Sequence, residues 1–283
     1  MDNNRRSFLK IAGITALAGI GAPVAAHLSS SPAFANSENN AAAQTGHEAA
    51  GESEKHSGVR LGMVIDMRKF YGQPDMLDKV IASCNKAHNI PHIVDGNGKT
   101  DRKSEIKWIW KAPYADVFAD QWVEQSVAHP SKTIAENDFL VLCNHCNQPA
   151  CVRVCPTKAT FVLKENGIVA MDYHRCIGCR FCMMACPYGA RSFNWKDPRP
   201  YISEYNPNFP TRMRGVVEKC TFCEERLALG QQPACVEAVQ DSNAIVFGDL
   251  NNPESQIRQV LARENTIQRS PAYGTQPSVF YIV

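Results

Sequence analysis

The chain has 283 residues, 44% hydrophobic, 20% charged and 8% aromatic, and its 30 Lys+Arg against 28 Asp+Glu leave a formal net charge of +2. That length suits one large domain or two small ones, the composition argues against disorder for most of the chain, and the lack of a long basic run argues against a nucleic-acid surface. No apolar run reaches the ~18 residues that a membrane-spanning helix needs, yet eleven of the 12 cysteines fall between Cys143 and Cys235, a density that belongs to disulfide scaffolds or metal clusters.

In chain order, Asn4-Arg5-Arg6-Ser7-Phe8-Leu9-Lys10 precedes an uncharged stretch from Ile11 to Ala26, and Ala33-Phe34-Ala35 offers a small-x-small cleavage site. Residues 1–35 resemble a twin-arginine (Tat) export signal, which implies a periplasmic protein exported already folded, with its cofactor inserted. Gly13, Gly19, Gly21 and Pro23 interrupt the stretch and argue against a membrane helix, while retention as an uncleaved anchor stays open. Residues 36–57 contain no bulky aliphatic or aromatic side chain, so they cannot offset the entropy of ordering and are expected to be a flexible linker. The folded part is expected to start near Val59.

Leu61-Gly62-Met63-Val64-Ile65 reads as a strand and Pro74 to His88 as a helix with Cys84 near its end, joined by the loop Phe70-Tyr71-Gly72-Gln73. A long insertion, Asn89 to Asn137, carries Trp108 and Trp110 in strand-like alternation, suited to core packing or to an interface anchor. Phe139 to Leu142 reads as a strand that leads into Cys143-x2-Cys146-x4-Cys151-x3-Cys155-Pro156, with a short helix from Cys151 to Cys155. Thr160 to Leu163 and Ile168 to Met171 read as a hairpin whose Asn166-Gly167 supplies the positive φ angles of a tight turn. The second group follows as Cys176-x2-Cys179-x2-Cys182-x3-Cys186-Pro187, with a helix from Arg180 to Ala185.

That second spacing is the bacterial ferredoxin pattern, in which one loop wraps three thiolates around a cluster and a helix carries the fourth cysteine to its neighbour. The two groups are therefore expected to exchange ligands: Cys143, Cys146 and Cys151 with Cys186, and Cys176, Cys179 and Cys182 with Cys155. Zinc also takes C-x2-C pairs, but paired four-cysteine groups each ending in Cys-Pro are not its usual layout, and cysteines this close in sequence are poorly placed for disulfides.

The third group, Cys220-x2-Cys223-x11-Cys235, lacks a fourth member. Pro233-Ala234-Cys235-Val236 repeats Pro149-Ala150-Cys151-Val152, and Val239-Gln240 stand where Cys155-Pro156 would be. The N-terminal half has lost its own loop cysteines but keeps Cys84, which would complete the third site, so that twelve cysteines form three sites and a fourth site is lost. The competing reading makes Cys84 a buried free thiol, with Asp241, an inorganic ligand or a 3Fe-4S cluster at the third site. The expected fold is α+β, two interleaved ferredoxin-like units: a two-cluster domain at 137–211, and a single-cluster unit from 58–136 and 212–283. On this reading a cluster-free chain would leave the N-terminal half loose.

His145 and His174 suit hydrogen bonding to cluster sulfur or plain solvation, and Arg175, Arg180 and Arg191 either raise the potential of the second cluster or pair with carboxylates. No C-x-x-C-H, P-loop, dinucleotide fingerprint or Ser-His-Asp arrangement is present, so no site for bond-making chemistry is expected.

At CNHCNQPACVRVCPTKAT, YHRCIGCRFCMMACPYGARSF and KCTFCEERLALGQQPAC, with Phe247-Gly248-Asp249 and Gly274-Thr275-Gln276-Pro277, the chain resembles the iron–sulfur subunits of the molybdopterin oxidoreductase superfamily. Within it, the export signal, the vestigial first group and three sites are similar to the DsrO type, found in DsrMKJOP-like membrane complexes of sulfate reducers and sulfur oxidisers. The resemblance implies three 4Fe-4S clusters, no substrate site, and electron relay between an NrfD-type quinone-interacting integral membrane subunit and a periplasmic multihaem cytochrome c. It also implies that the Cys143 cluster faces the membrane subunit and that losing the fourth site removes a molybdopterin partner. The other readings are a subunit of a molybdopterin polysulfide, tetrathionate or dimethyl sulfoxide reductase, and a structural zinc protein.

Overall fold

Strand β1 (Leu61–Asp66) is buried on both faces because it runs in the middle of a three-stranded sheet, antiparallel to β8 (Ile245–Asp249) and parallel to β9 (Val279–Ile282). The structure, a computed structural model, describes residues 58–118 and 131–283; the export signal and the linker expected over 1–57 lie outside the described residues. Gly62 is required within β1, since a Cβ there would meet the Ser278 carbonyl at 2.8 Å and the Leu250 side chain at 2.6 Å. Helix α8 (Gln256–Arg263), capped by the Ser255 hydroxyl, seals one face of this sheet by burying Ile257 against Val64, Val246 and Ile282.

Helix α1 (Pro74–Ala87) starts with Pro74 in its first turn, where the missing N–H costs nothing, and Leu77, Val80 and Cys84 share its buried face by three- and four-residue spacing. It packs against the one-turn helix α7 (Ala234–Glu237). The connecting loop forms a 3-10 turn at Met67–Lys69, and Phe70 and Val239 are both buried in the main core with Met67 and Leu77. These are positions where the sequence reading expects a fourth site to have been lost, and both carry hydrocarbon side chains.

From the insertion, β2 (Ile109–Pro113) pairs antiparallel with β3 (Asp138–Leu142). Trp108, just before β2, is 1% exposed and donates from Nε1 to Glu218, which makes it a core residue, while Trp110 is half-buried. Strands β4 (Thr160–Val162) and β5 (Val169–Met171) form the expected hairpin. Its turn differs from expectation: only Gly167 adopts positive φ (72°), while Asn166 uses its side chain to accept from the Ile168 N–H. Strand β6 (Ser192–Phe193) pairs with β7 (Val217–Glu218), tying the second cysteine loop to the third.

The remaining helices are single turns: α2 (Tyr114–Val117), α3 (Lys132–Glu136), α4 (Ala150–Arg153), α5 (Phe181–Met184) and α6 (Glu224–Leu227). Helices α4 and α5 stop short of the expected Cys155 and Ala185, because Pro156 and Pro187 disfavour helical backbone at the cysteine before each. No helix among the described residues is long and apolar enough to cross a membrane.

Candidate metal centre

The cysteine loops turn on residues with positive φ. Gly178 (φ 70°) lies so close to the next loop that a Cβ would meet the Gly215 carbonyl oxygen at 2.3 Å, so only glycine fits. His145, Arg180, Phe222 and Cys223 take the same left-handed backbone without that freedom. The turn at Phe222-Cys223 directs backbone donors at sulfur: Phe222 N–H to Cys220 Sγ and Ala234 N–H to Cys223 Sγ, both at 3.4 Å.

None of the twelve cysteines is in a disulfide, and they act on one another in groups. Burial, with the charges of Cys143, Cys151 and Cys186, pushes the Cys146 thiol up to about 12. Burial and then Cys143 push Cys186 up, so Cys186 sits with the first loop. Burial raises Cys182, to which Cys151, Cys176 and Cys155 add, so Cys155 sits with the second loop; Cys179 is half-buried between Cys176 and Cys182 in chain order. Cys155 itself is held below its ordinary value: burial raises it, but hydrogen bonds from the Thr160, Ala159 and Thr157 backbone and the Thr157 hydroxyl outweigh that.

The third group is the most deeply buried. Burial pushes Cys84 well up, and Cys220, Cys223 and Cys235 add to it, so the remote helix α1 brings its thiol to the other three; Cys235 is pushed up to about 12, mainly by burial. Asp241, the rival fourth ligand, is exposed. His88 lies 3.5 Å from Cys84 Sγ through Nδ1 and 3.0 Å from Glu225 Oε1 through Nε2. With Cys223 and Glu225 it forms a triple of ligand atoms within 4.8 Å, but it shares Cys223 with the four-thiol group.

The groups lie within electrostatic reach of one another in turn: Cys151 acts on Cys182, with which it shares a packed cluster, and Cys143 acts on Cys220 in the main core. The Cys143 group therefore lies between the other two.

The donor set fits iron–sulfur clusters. Four thiols crowded in a desolvated space repel once ionised, and a bound cationic metal core removes that conflict. Unpartnered buried polar atoms stand beside the ligands: both side-chain atoms of Asn144, Nε2 of His145 and the Thr221 hydroxyl. Each is next to a cysteine in sequence, where cluster sulfur would serve its donors.

The histidines and arginines singled out in the sequence divide between burial and solvent. His145 is 1% exposed, stacks on Phe222 at 3.7 Å between ring centroids, and accepts from the Val169 N–H; burial, then Lys219 and Arg191, keep it well below its ordinary pKa. His174 is exposed. Arg175 pairs with Asp172 at 3.2 Å, and Arg180 stacks over Trp195. The C-terminal Gly274–Pro277 motif clamps the first loop: Asn147 and Gln148 N–H groups donate to the Gln276 and Thr275 carbonyls, and Tyr188 shares a short hydrogen bond with Thr275. Large apolar side chains are exposed around the second loop, with Ile177, Phe181 and Met184 at 66, 54 and 85% exposure.

Buried thiols in such groups, on one-turn helices joined by short strands, define a carrier of iron–sulfur clusters, and residues 138–199 match the family model of a 4Fe-4S dicluster domain. The chain is 40% identical over 212 residues to the Hdr-like menaquinol oxidoreductase iron-sulfur subunit 1 of Archaeoglobus fulgidus, covering 71% of each chain. It is 34% identical over 250 residues to the menaquinone reductase iron-sulfur cluster-binding subunit of Nitratidesulfovibrio vulgaris, covering 81% of this chain and 91% of that one. A polysulfide reductase subunit of Wolinella succinogenes is 37% identical over 162 residues, 57% of this chain and 75% of that one. The chain belongs to the family of iron–sulfur subunits of molybdopterin-type oxidoreductase complexes: it binds 4Fe-4S clusters and transfers electrons, and it is not the catalytic subunit.

Proposed function

We propose that the chain holds three 4Fe-4S clusters in line: one on Cys155, Cys176, Cys179 and Cys182; a middle one on Cys143, Cys146, Cys151 and Cys186; and one on Cys84, Cys220, Cys223 and Cys235. The observation that carries this is the grouping of the thiols: Cys151 packs in one cluster with Cys182, and Cys143 shares the main core with Cys220, each within electrostatic reach of the other. Clusters bound there supply one-electron acceptance and donation. The chain's own part is to hold them in order, to exclude water from the middle and third sites, and to aim backbone N–H groups at sulfur.

In this reading the wire joins a quinone-interacting integral membrane subunit of NrfD type to a periplasmic multihaem cytochrome c, within a DsrMKJOP-like complex of sulfur metabolism. Two relatives named for menaquinol or menaquinone support the quinone end. The exposed apolar collar around the Cys176 loop suits docking of the membrane subunit. At the other end, a cavity of about 890 Å3 is bordered by Ser83 and Ala234, the sequence neighbours of Cys84 and Cys235, with Ala87, Phe209 and Glu225, and suits the second partner. Residues 1–35 serve Tat export to the periplasm. A reductase with a molybdopterin subunit is the second reading, favoured by the relatives named polysulfide and tetrathionate reductase, and weakened by Phe70 and Val239 filling the fourth site. Purifying the native membrane complex and identifying its subunits by mass spectrometry tests the choice: a quinone-site membrane protein and a multihaem cytochrome are expected, and a molybdopterin subunit would overturn it.

A further inference from the structure

Among the described residues two cations are buried against the cysteine groups without a carboxylate in contact. Arg191, 5% exposed, donates from Nη2 to Thr160 Oγ1 at 2.8 Å and places Nη1 3.8 Å from Met171 Sδ. Lys219, fully buried, donates from Nζ to the carbonyls of Val169 and Cys220. Neither takes part in an ion pair. The carboxylate beside Lys219 in sequence, Glu218, is occupied by Arg212, Trp108 and Asn194. Glu224 is within electrostatic reach of Lys219 but not in contact.

Arg191 cannot lose its proton, and a buried guanidinium with no anion is strongly unfavourable. Met171, which it contacts, packs in one cluster with Cys182, Cys151, Cys155 and Cys176, and charge on Cys151, Cys182 and Cys143 acts on the guanidinium, which places Arg191 at the junction of the middle and second groups. Lys219 donates to the carbonyl of Cys220 and to that of Val169, whose N–H donates in turn to His145 beside Cys146, at the junction of the middle and third groups. The middle group thus has a cation on each side. By contrast Arg175 and Arg180 are exposed, and water screens them.

We propose that Arg191 and Lys219 are potential-setting residues, which act as counter-ions of the middle cluster and raise its reduction potential, making it the site where an electron rests in transit. The inference rests on the three-cluster reading. Reduction adds one negative charge to a cluster, and a fixed cation in a dry, low-dielectric site favours the reduced form. Packing alone would not require charge at either position.

The test is an anaerobic redox titration of the full-length holoprotein followed by EPR, with Arg191→Met, Lys219→Met and the charge-keeping Arg191→Lys. Each Met variant is expected to lower the reduced-to-oxidised ratio of the middle cluster about tenfold at fixed ambient potential, a shift of about 59 mV for a one-electron centre. Arg191→Lys should keep most of the wild-type potential. Retained signals with unmoved midpoints, or a shift in Arg191→Lys as large as in Arg191→Met, would overturn the proposal. A second arm uses cluster-free protein: there the cation has lost its counter-ion, so Arg191→Met should unfold at a higher temperature than the wild type. A lower unfolding temperature would mark Arg191 as a packing residue and overturn the assignment even if the holoprotein cannot be loaded. Failure of the three-cluster reading would show separately, as missing iron and missing signals in the wild type.

Discussion

Replacing Cys84 by alanine separates ligation from packing, because that thiol lies on a helix remote in sequence from the three it meets. In the cluster-free chain the change removes one buried sulfur from a crowded group. The lost packing is about 1 kcal/mol, partly offset by relief of thiol crowding. For a folded unit of this size ~1 kcal/mol is roughly 2–4 °C in Tm, so the two cluster-free proteins should melt within that interval. In the loaded protein the same change removes a metal ligand, and because binding energy at such a site is folding energy the loss should far exceed that interval. Iron should fall from about twelve per chain to about eight, or to about eleven if a 3Fe-4S cluster survives. Hydrogen exchange adds a position: amides of α1 should lose protection, whereas β1 should keep it, since its ladders to β8 and β9 do not depend on a cluster. That narrows the looseness expected of the whole N-terminal half to the helix alone. A Cys84→Ala protein that kept three 4Fe-4S clusters with unchanged EPR spectra would refute the reasoning and return Cys84 to an ordinary buried thiol.

Cys186→Ser should perturb the EPR signal of the Cys143 site and spare that of its own loop; the opposite pattern would refute the ligand exchange. Gly178→Ala should cost ~1–3 kcal/mol through its positive φ and the contact with Gly215, and should lower iron loading at the Cys176 site, measured by iron analysis and thermal unfolding. Phe70→Ala should cost about 3–5 kcal/mol in denaturant unfolding while leaving the cluster content unchanged, because Phe70 is a buried core side chain in a loop that carries no cysteine.

The local elements around the cysteines were legible because their signals are local. Alternating or β-branched runs marked β1, β3 and the β4–β5 hairpin, and the repeat of Pro149-Ala150-Cys151-Val152 at Pro233 pointed to the third group. Cys84 was reachable only by counting thiols, which a motif search does not do. What stayed hidden depends on distant pairings: β9 beside β1, β2 drawn from the insertion onto β3, and β6 on β7. The spatial order of the sites was hidden for the same reason, since adjacency of Cys143 and Cys220 is a property of packing. Lys219 was passed over because a charged side chain next to a cysteine loop reads as solvated, and His145, for which solvation was one of the expectations, is buried as well.

The account stands most directly on the metal content of the native protein. Iron, acid-labile sulfide and zinc should be measured together on anaerobically purified full-length chain, with Mössbauer spectra to assign the iron. Twelve cysteines at four per cluster predict about twelve irons and about twelve sulfides per chain, with no zinc. A value near eight or near sixteen irons, or stoichiometric zinc in any site, would contradict it.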